Sequence, residues 1–267
     1  MISALLINLE KSSNRLGFQK LQLEKLHIPM HRLEAVKCTD FNSKKYEDLA
    51  NGWQRKLRKT EVACFLSHKK AWEYVLESGV PWLILEDDAL LSKRCSDILN
   101  ELVVNKKNFD YVNLETRNRR KWIGKDTINL VEEYGLRRLY QDRNGSAAYV
   151  LFPSGAQKLL EKAKKSSPAL ADAFLSQTYE LNAWQIYPAA AFQMDQCKYY
   201  DIPPTMSSVS TIASDKYSRP KANNGFDYFH FKLRRIRGQI QMAKRQFMVH
   251  RIAEHKFVPI VQSDFIY

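Results

Sequence analysis

Three consecutive acids, Glu86-Asp87-Asp88, follow the apolar run Trp82–Leu85 in "PWLILEDDALL". Adjacent carboxylates repel, and at a partly buried strand end a bound cation relieves that repulsion. Oxygen ligands suit Mg²⁺ or Mn²⁺, ions that also bind phosphates. In extended chain Glu86 and Asp88 project to one side and Asp87 to the other. The competing reading is a solvated turn whose acids favour the N-terminus of a following helix.

The elements that must position these acids are legible as an alternation of strands and helices. Ile2–Asn8, 30–36, 82–85, 109–115 and 147–152 read as strands. Phe18, Leu21, Leu23 and Leu26 predict a helix started by Ser12 or Ser13. Residues 40–53 predict a short helix stopped near Gly52, and Thr60–Glu77 a long amphipathic one. Pro153 opens another, residues 169–179 a further one, and 182–192 hold a last strand. This order predicts an α/β domain with a mostly parallel central sheet flanked by helices. Ligands of such sheets bind at the carboxyl ends of strands, where Asn8, the three acids and Glu115 all fall.

The 267-residue chain has ordinary hydrophobic content, 45%, but a formal charge of +13. Such an excess implies an anionic partner: nucleic acid, phospholipid headgroups or a phosphorylated ligand. No recognised nucleic-acid motif accompanies it, so no nucleic-acid partner is expected. From His230 to Lys256 eight Lys/Arg face one acid, Glu254. Within that stretch Phe229, Leu233, Ile236, Ile240, Ala243 and Phe247 form one helical stripe. The flanking cations Lys232, Arg234, Arg235, Arg237, Lys244 and Arg245 suit an anionic membrane surface, or remain in water while the stripe docks on the body. The expected division is 1–205 as the catalytic domain, 206–228 as a loop or hinge, and 229–267 as a basic helical extension. The apolar run near Met1 is too short for a signal peptide or a span. Cys38, Cys64, Cys95 and Cys197 form no CxxC pair and fit reduced thiols of a cytoplasmic protein.

Four segments, "LLINLEKSSNR", "TEVACFLSHKKAW", "ILEDDA" and "NGSAAYVLFPSGAQKLL", occur in this order. Together they resemble glycosyltransferase family 25, the bacterial lipopolysaccharide and lipooligosaccharide glycosyltransferases, over roughly residues 1–210. Ala63 stands where the family usually has Gly, and Gly145-Ser146 where it has a Gly-Thr-like pair. The resemblance implies a GT-A fold and an inverting transfer from a UDP-hexose, galactose ahead of glucose, to a lipid-linked oligosaccharide acceptor. It also implies a site at the inner face of the cytoplasmic membrane. "EDD" then takes the place of a DxD motif, with Asp88 and Glu86 as metal ligands for Mn²⁺ or Mg²⁺. Asp87, Asn8, Arg15, His68, Gly145 and Ser146 become donor contacts. Asp172 is the candidate base, Glu115 its rival. Arg117, Arg119 and Arg120 flank the acceptor cleft as anion contacts, or form a plain solvated loop. Arg15 and His68 each keep a structural alternative, and Tyr149 reads as core.

Overall fold

The computed structural model describes residues 1–105, 107–142, 145–203 and 220–266. Its elements are β1 (Ser3–Asn8), α1 (Ser13–Lys25), β2 (Met30–Glu34), α2 (Ser43–Ala50), α3 (Lys59–Ser78), β3 (Trp82–Glu86), β4 (Ala89–Leu91), α4 (Cys95–Val104), β5 (Tyr111–Asn113), β6 (Lys121–Gly124), β7 (Ile128–Val131), β8 (Tyr134–Gln141), β9 (Ala148–Leu151), α5 (Pro153–Lys165), α6 (Ala171–Ser176), β10 (Ala183–Tyr187), β11 (Ala191–Gln193), α7 (Gly225–Val249) and β12 (Ala253–Lys256). One ten-stranded sheet runs β12-β6-β8-β10-β5-β9-β3-β1-β2, with β7 beside β8, and β4 pairs β11 separately.

The sheet is mixed. β2-β1-β3 and β5–β10 are parallel, as the alternation predicts; every other ladder is antiparallel. An apolar run gives strand identity but not direction. The reversal of β9 matters for the site. Running against β3 and β5, it brings its first residues to their carboxyl ends. Glu86 N–H donates to Ala147 O at 2.8 Å, and Leu114 N–H to Ala148 O at 3.1 Å. Parallel pairing of β1 with β3 sets Ile7 opposite Glu86, so Asn8 reaches the same edge.

Alternation along these strands feeds two apolar layers. Leu6, Leu83, Leu85 and Val150 pack with α4 residues Ile98 and Leu99 on one face. Leu5, Ile84, Tyr149 and Leu151 pack with Phe65, Trp72, Leu159 and Phe174 on the other. Helix α3 is the second layer's main rib. Glu61 accepts the Arg58 N–H at 2.8 Å at its start, and Gly79 at φ +68° ends it.

Helix α1 departs from the expected apolar face. Leu21 is exposed, whereas Gln19 and Gln22 are buried. Gln19 donates to Ala89 O at 2.7 Å, and Leu91 N–H donates to Gln22 Oε1 at 2.9 Å. This helix packs along the edge of β4 that faces away from β11, and such backbone needs polar partners.

The C-terminal region is more integrated than a helical extension. Most of the 206–228 segment, through residue 219, lies outside the described residues, and α7 begins at Gly225 rather than 229. After α7 the chain returns to the body. β12 pairs antiparallel with β6, and the Phe265 ring lies 4.8 Å from that of Phe192. Helix α7 is held through Phe231, Gly238 and Val249. Arg234 donates to Asn51 O at 2.8 Å; Arg245 bonds Tyr140 O and lies 4.6 Å over the Tyr179 ring. These two cations grip the body instead of serving only a membrane face.

Candidate functional site

The three acids diverge, each toward different partners. Glu86, the last residue of β3, accepts Ser146 Oγ–H at 2.7 Å and faces His68 Nε2 at 3.1 Å. Behind it, Trp72 Nε1 lies 2.9 Å from Tyr149 Oη, and Tyr149 Oη 3.0 Å from His68 Nδ1. Trp72 can only donate, and the arrangement that satisfies every group has the Tyr149 hydrogen serving His68 Nδ1 and His68 Nε2–H serving Glu86. Tyr149, read from sequence as core, is also the group that orients His68. Burial pushes the Glu86 carboxyl up, but the pull of His68, then of Ser146 and the Arg117 charge, outweighs it and holds the group below the ordinary glutamate value.

Asp87 points the other way. It accepts from Asn8 Nδ2 at 2.8 Å and Arg15 at 2.9 Å. Both expected donor contacts therefore bind this acid directly. Asp88 lies 3.8 Å from Arg15, and its Oδ1 is buried with no hydrogen-bond partner among the described residues. Burial, then the charge of Glu86, pushes its carboxyl up to about 7.

These groups edge a cleft of about 390 Å³ between α1, the loop after β2, and α3. That volume lies within the range of small-ligand sites, roughly 300–1,000 Å³. Arg15, Lys11 and Lys37 line it with Glu10, which pairs with Lys37 at 2.7 Å. Cys64 lines it too, and sequence reasoning missed that residue. Its sulfur, a ring nitrogen of His68 and a Glu86 oxygen lie within 4.8 Å of one another. The signal was present: Cys64 and His68 are four apart and share one helix face. Burial, followed by the charges of Glu86 and Asp172, holds the Cys64 thiol well above its ordinary value.

Across the sheet edge stands a second acidic group. Gly145, at φ +110°, sits where an added Cβ would meet Asn113 Nδ2 at 3.1 Å and Glu115 Oε2 at 3.4 Å. Glu115 accepts the Ala147 N–H at 2.8 Å, while its Oε1 is buried with no hydrogen-bond partner among the described residues. Burial raises it from the ordinary 4.5 to about 8 against the pull of that N–H. Lys121 bonds Glu115 O at 2.8 Å and pairs with Asp142 at 2.7 Å. Asp172, in the first turn of α6, accepts the Ala173 N–H at 2.7 Å. Burial pushes it up to about 6, and the charges of Glu86 and Asp142 add to that rise. Asp172 is thus within electrostatic reach of the first acidic group as well as of its own.

Of the basic loop, Arg117 is half-buried, whereas Arg119 and Arg120 are exposed. Arg117 bonds Gln193 and pairs with Asp195 at 2.6 Å, and its charge lowers Glu86, Glu115 and Asp172. Arg120 lies 5.3 Å over the Phe257 ring, and Arg119 donates its backbone N–H to Arg117 O.

Glu115 carries a stability signature. In the unfolded chain it loses its proton near 4.5, in the fold near 8. Between those values the unfolded state binds fewer protons, so stability falls as pH rises from about 4.5 to about 8, then levels off. Glu115→Gln removes that slope. Its stability relative to wild type is expected to rise by about 2–4 kcal/mol between pH 5 and pH 8.5, read by urea unfolding. A difference that stays flat with pH contradicts the burial assigned to this carboxyl.

The sequence profile of glycosyltransferase family 25 (LPS biosynthesis protein) matches residues 1–175. Lacto-N-neotetraose biosynthesis glycosyltransferase LgtE of Neisseria meningitidis serogroup B is 27% identical over 143 residues, 51% of each chain. A Rattus norvegicus protein named probable inactive glycosyltransferase 25 family member 3 is 25% identical over 230 residues, 78% of this chain and 38% of its own. The chain spans about half the length of LgtE and less of the rat protein. Among solved structures, the inositol-1-phosphate CTP transferase from T. maritima matches at TM-score 0.36 and 12% identity, covering 76% of this chain and 72% of that one, too remote to bear on function. By the profile match over most of its length, the chain belongs to glycosyltransferase family 25.

Proposed function

We propose that this chain is a divalent-metal-dependent, inverting glycosyltransferase. It moves a hexose, galactose from UDP-galactose in first place and glucose in second, to a lipid-linked lipooligosaccharide acceptor. The workplace is the inner face of the cytoplasmic membrane. The observation that carries the reading is Asp88: a carboxylate whose buried Oδ1 has no hydrogen-bond partner among the described residues, beside Glu86, at the mouth of a cleft of about 390 Å³. Asp88 and Glu86 offer hard oxygen donors, so the residues fit Mn²⁺ or Mg²⁺. Bound there, the ion supplies Lewis-acid stabilisation of the departing nucleoside diphosphate.

The chain's own groups do the rest. Arg15, between Asp87 and Asp88, offsets their charge and adds positive charge beside the diphosphate. His68 and Ser146 fix the Glu86 rotamer. Gly145 lets the backbone that leads to Ser146 pass close to Asn113 and Glu115. Asp172 takes the proton of the acceptor hydroxyl. Its pKa of about 6 leaves it ionised at neutral pH, and it is partly exposed. Glu115, at about 8 and fully buried, is mostly protonated there and is placed as a hydrogen-bond donor instead.

Calorimetry with UDP-galactose and UDP-glucose, with and without Mn²⁺, tests the reading, followed by donor hydrolysis and transfer. Mn²⁺-dependent affinity and turnover are the expected result. Affinity without turnover on any acceptor would make the chain a silent relative, and absence of affinity for any UDP-sugar overturns the proposal.

A further inference from the structure

Helix α7 has two faces set about 180° apart. At about 100° per residue, the docked residues Phe231, Gly238 and Val249, with Arg245, fall on one side. Phe229, Leu233, Ile236, Ile240, Ala243 and Phe247 fall opposite, centred on the line pointing straight away from the body. A surface helix ordinarily turns its apolar stripe inward. Here the side chains of the large residues stand in solvent, from 45% exposure at Leu233 to 77% at Phe247.

The flanks are one-signed. From Tyr228 to Val249 the helix carries six Lys/Arg and no acid. Lys232 borders the stripe on one side, Arg237 and Lys244 on the other, and all three are exposed. Arg234 and Arg245, which reach Asn51 O and Tyr140 O, hold the opposite face to the body. The chain is anchored again just beyond the helix, where β12 joins β6.

The geometry points to α7 as an in-plane docking helix for an anionic lipid bilayer. Its stripe enters the acyl boundary, and Lys232, Arg237 and Lys244 contact the headgroup phosphates. Charge decides among occupants. A second copy would set the same cations against one another across a two-fold axis, whereas an anionic surface neutralises them. No helix among the described residues is long and apolar enough to cross a membrane, so contact is by lying on the surface. This inference requires no sugar chemistry and stands apart from the proposed transfer reaction.

Co-sedimentation of the full chain with phosphatidylglycerol-containing vesicles and with pure phosphatidylcholine vesicles tests it. Binding to the anionic vesicles alone, weakened by salt, is expected. Ile236→Ser/Ile240→Ser should lower vesicle affinity at least about tenfold. Lys232→Glu/Arg237→Glu/Lys244→Glu should remove the lipid-charge preference, at about fivefold per residue. All five positions are exposed, so the unfolding midpoints should match wild type, and sedimentation velocity should give a monomer. Failure of wild type to bind, or full binding by both variants, overturns the inference. So does a dimer in solution that Ile236→Ser/Ile240→Ser dissociates, since the stripe then belongs to a second copy.

Discussion

Asp172→Asn should lower the rate of sugar transfer by about a thousandfold and leave UDP-sugar affinity nearly unchanged. The substitution keeps shape and the oxygen that accepts the Ala173 N–H, and removes only proton affinity. Wild type should also carry an acid limb in its rate profile. A carboxyl raised to about 6 is protonated below that pH and cannot accept the acceptor's proton, so turnover should fall about tenfold per pH unit below 6. The limb should vanish in Asp172→Asn and persist in Glu115→Gln. Stopped-assay kinetics between about pH 5 and pH 8 read both effects. Wild-type turnover by Asp172→Asn would move the base elsewhere, with Glu115 the next candidate.

Asp88→Asn should separate activity from stability. Losing one oxygen ligand of a dication removes several kcal/mol of leaving-group stabilisation, which at about 1.4 kcal/mol per decade is a fall of about 10³ in kcat/KM. The fold has no such dependence on this carboxylate. Its Oδ1 has no hydrogen-bond partner among the described residues, and burial together with Glu86 opposes its charge. A neutral amide of the same shape should therefore unfold at or above the wild-type midpoint. Thermal melts alongside Mn²⁺ titration give the two readouts from one preparation. Undiminished Mn²⁺-dependent turnover by the variant would remove Asp88 from the metal site.

Much of the acidic cluster was legible because it breaks a pattern. Charge placed directly after Trp82–Leu85 contradicts an apolar strand unless the strand ends there. Asn8 was legible from its place at the end of the first strand and Arg15 from the family-like segment "LLINLEKSSNR", though neither as a direct partner of Asp87. Gln19 and Gln22 were hidden because their type suggests solvent, while what they face is the backbone edge of β4 away from β11. β12, "AEHK", has no apolar run and becomes a strand only because β6 offers it an open edge. The stripe of α7 was visible as a stripe, yet helical period is silent about which side meets the body. Antiparallel β9 was equally invisible as to direction, and that direction is what delivers Ser146 to Glu86.

Gln19 and Gln22 hold the acid turn by its backbone, at Asp87 O, Ala89 O and Leu91 N–H, and touch none of its carboxylates. Scaffold and chemistry are thereby uncoupled at this turn. Its reactive side chains can be exchanged one at a time under selection while the loop keeps its path. A lineage built on this arrangement can change its ion, its donor or its reactivity altogether without first having to solve folding again.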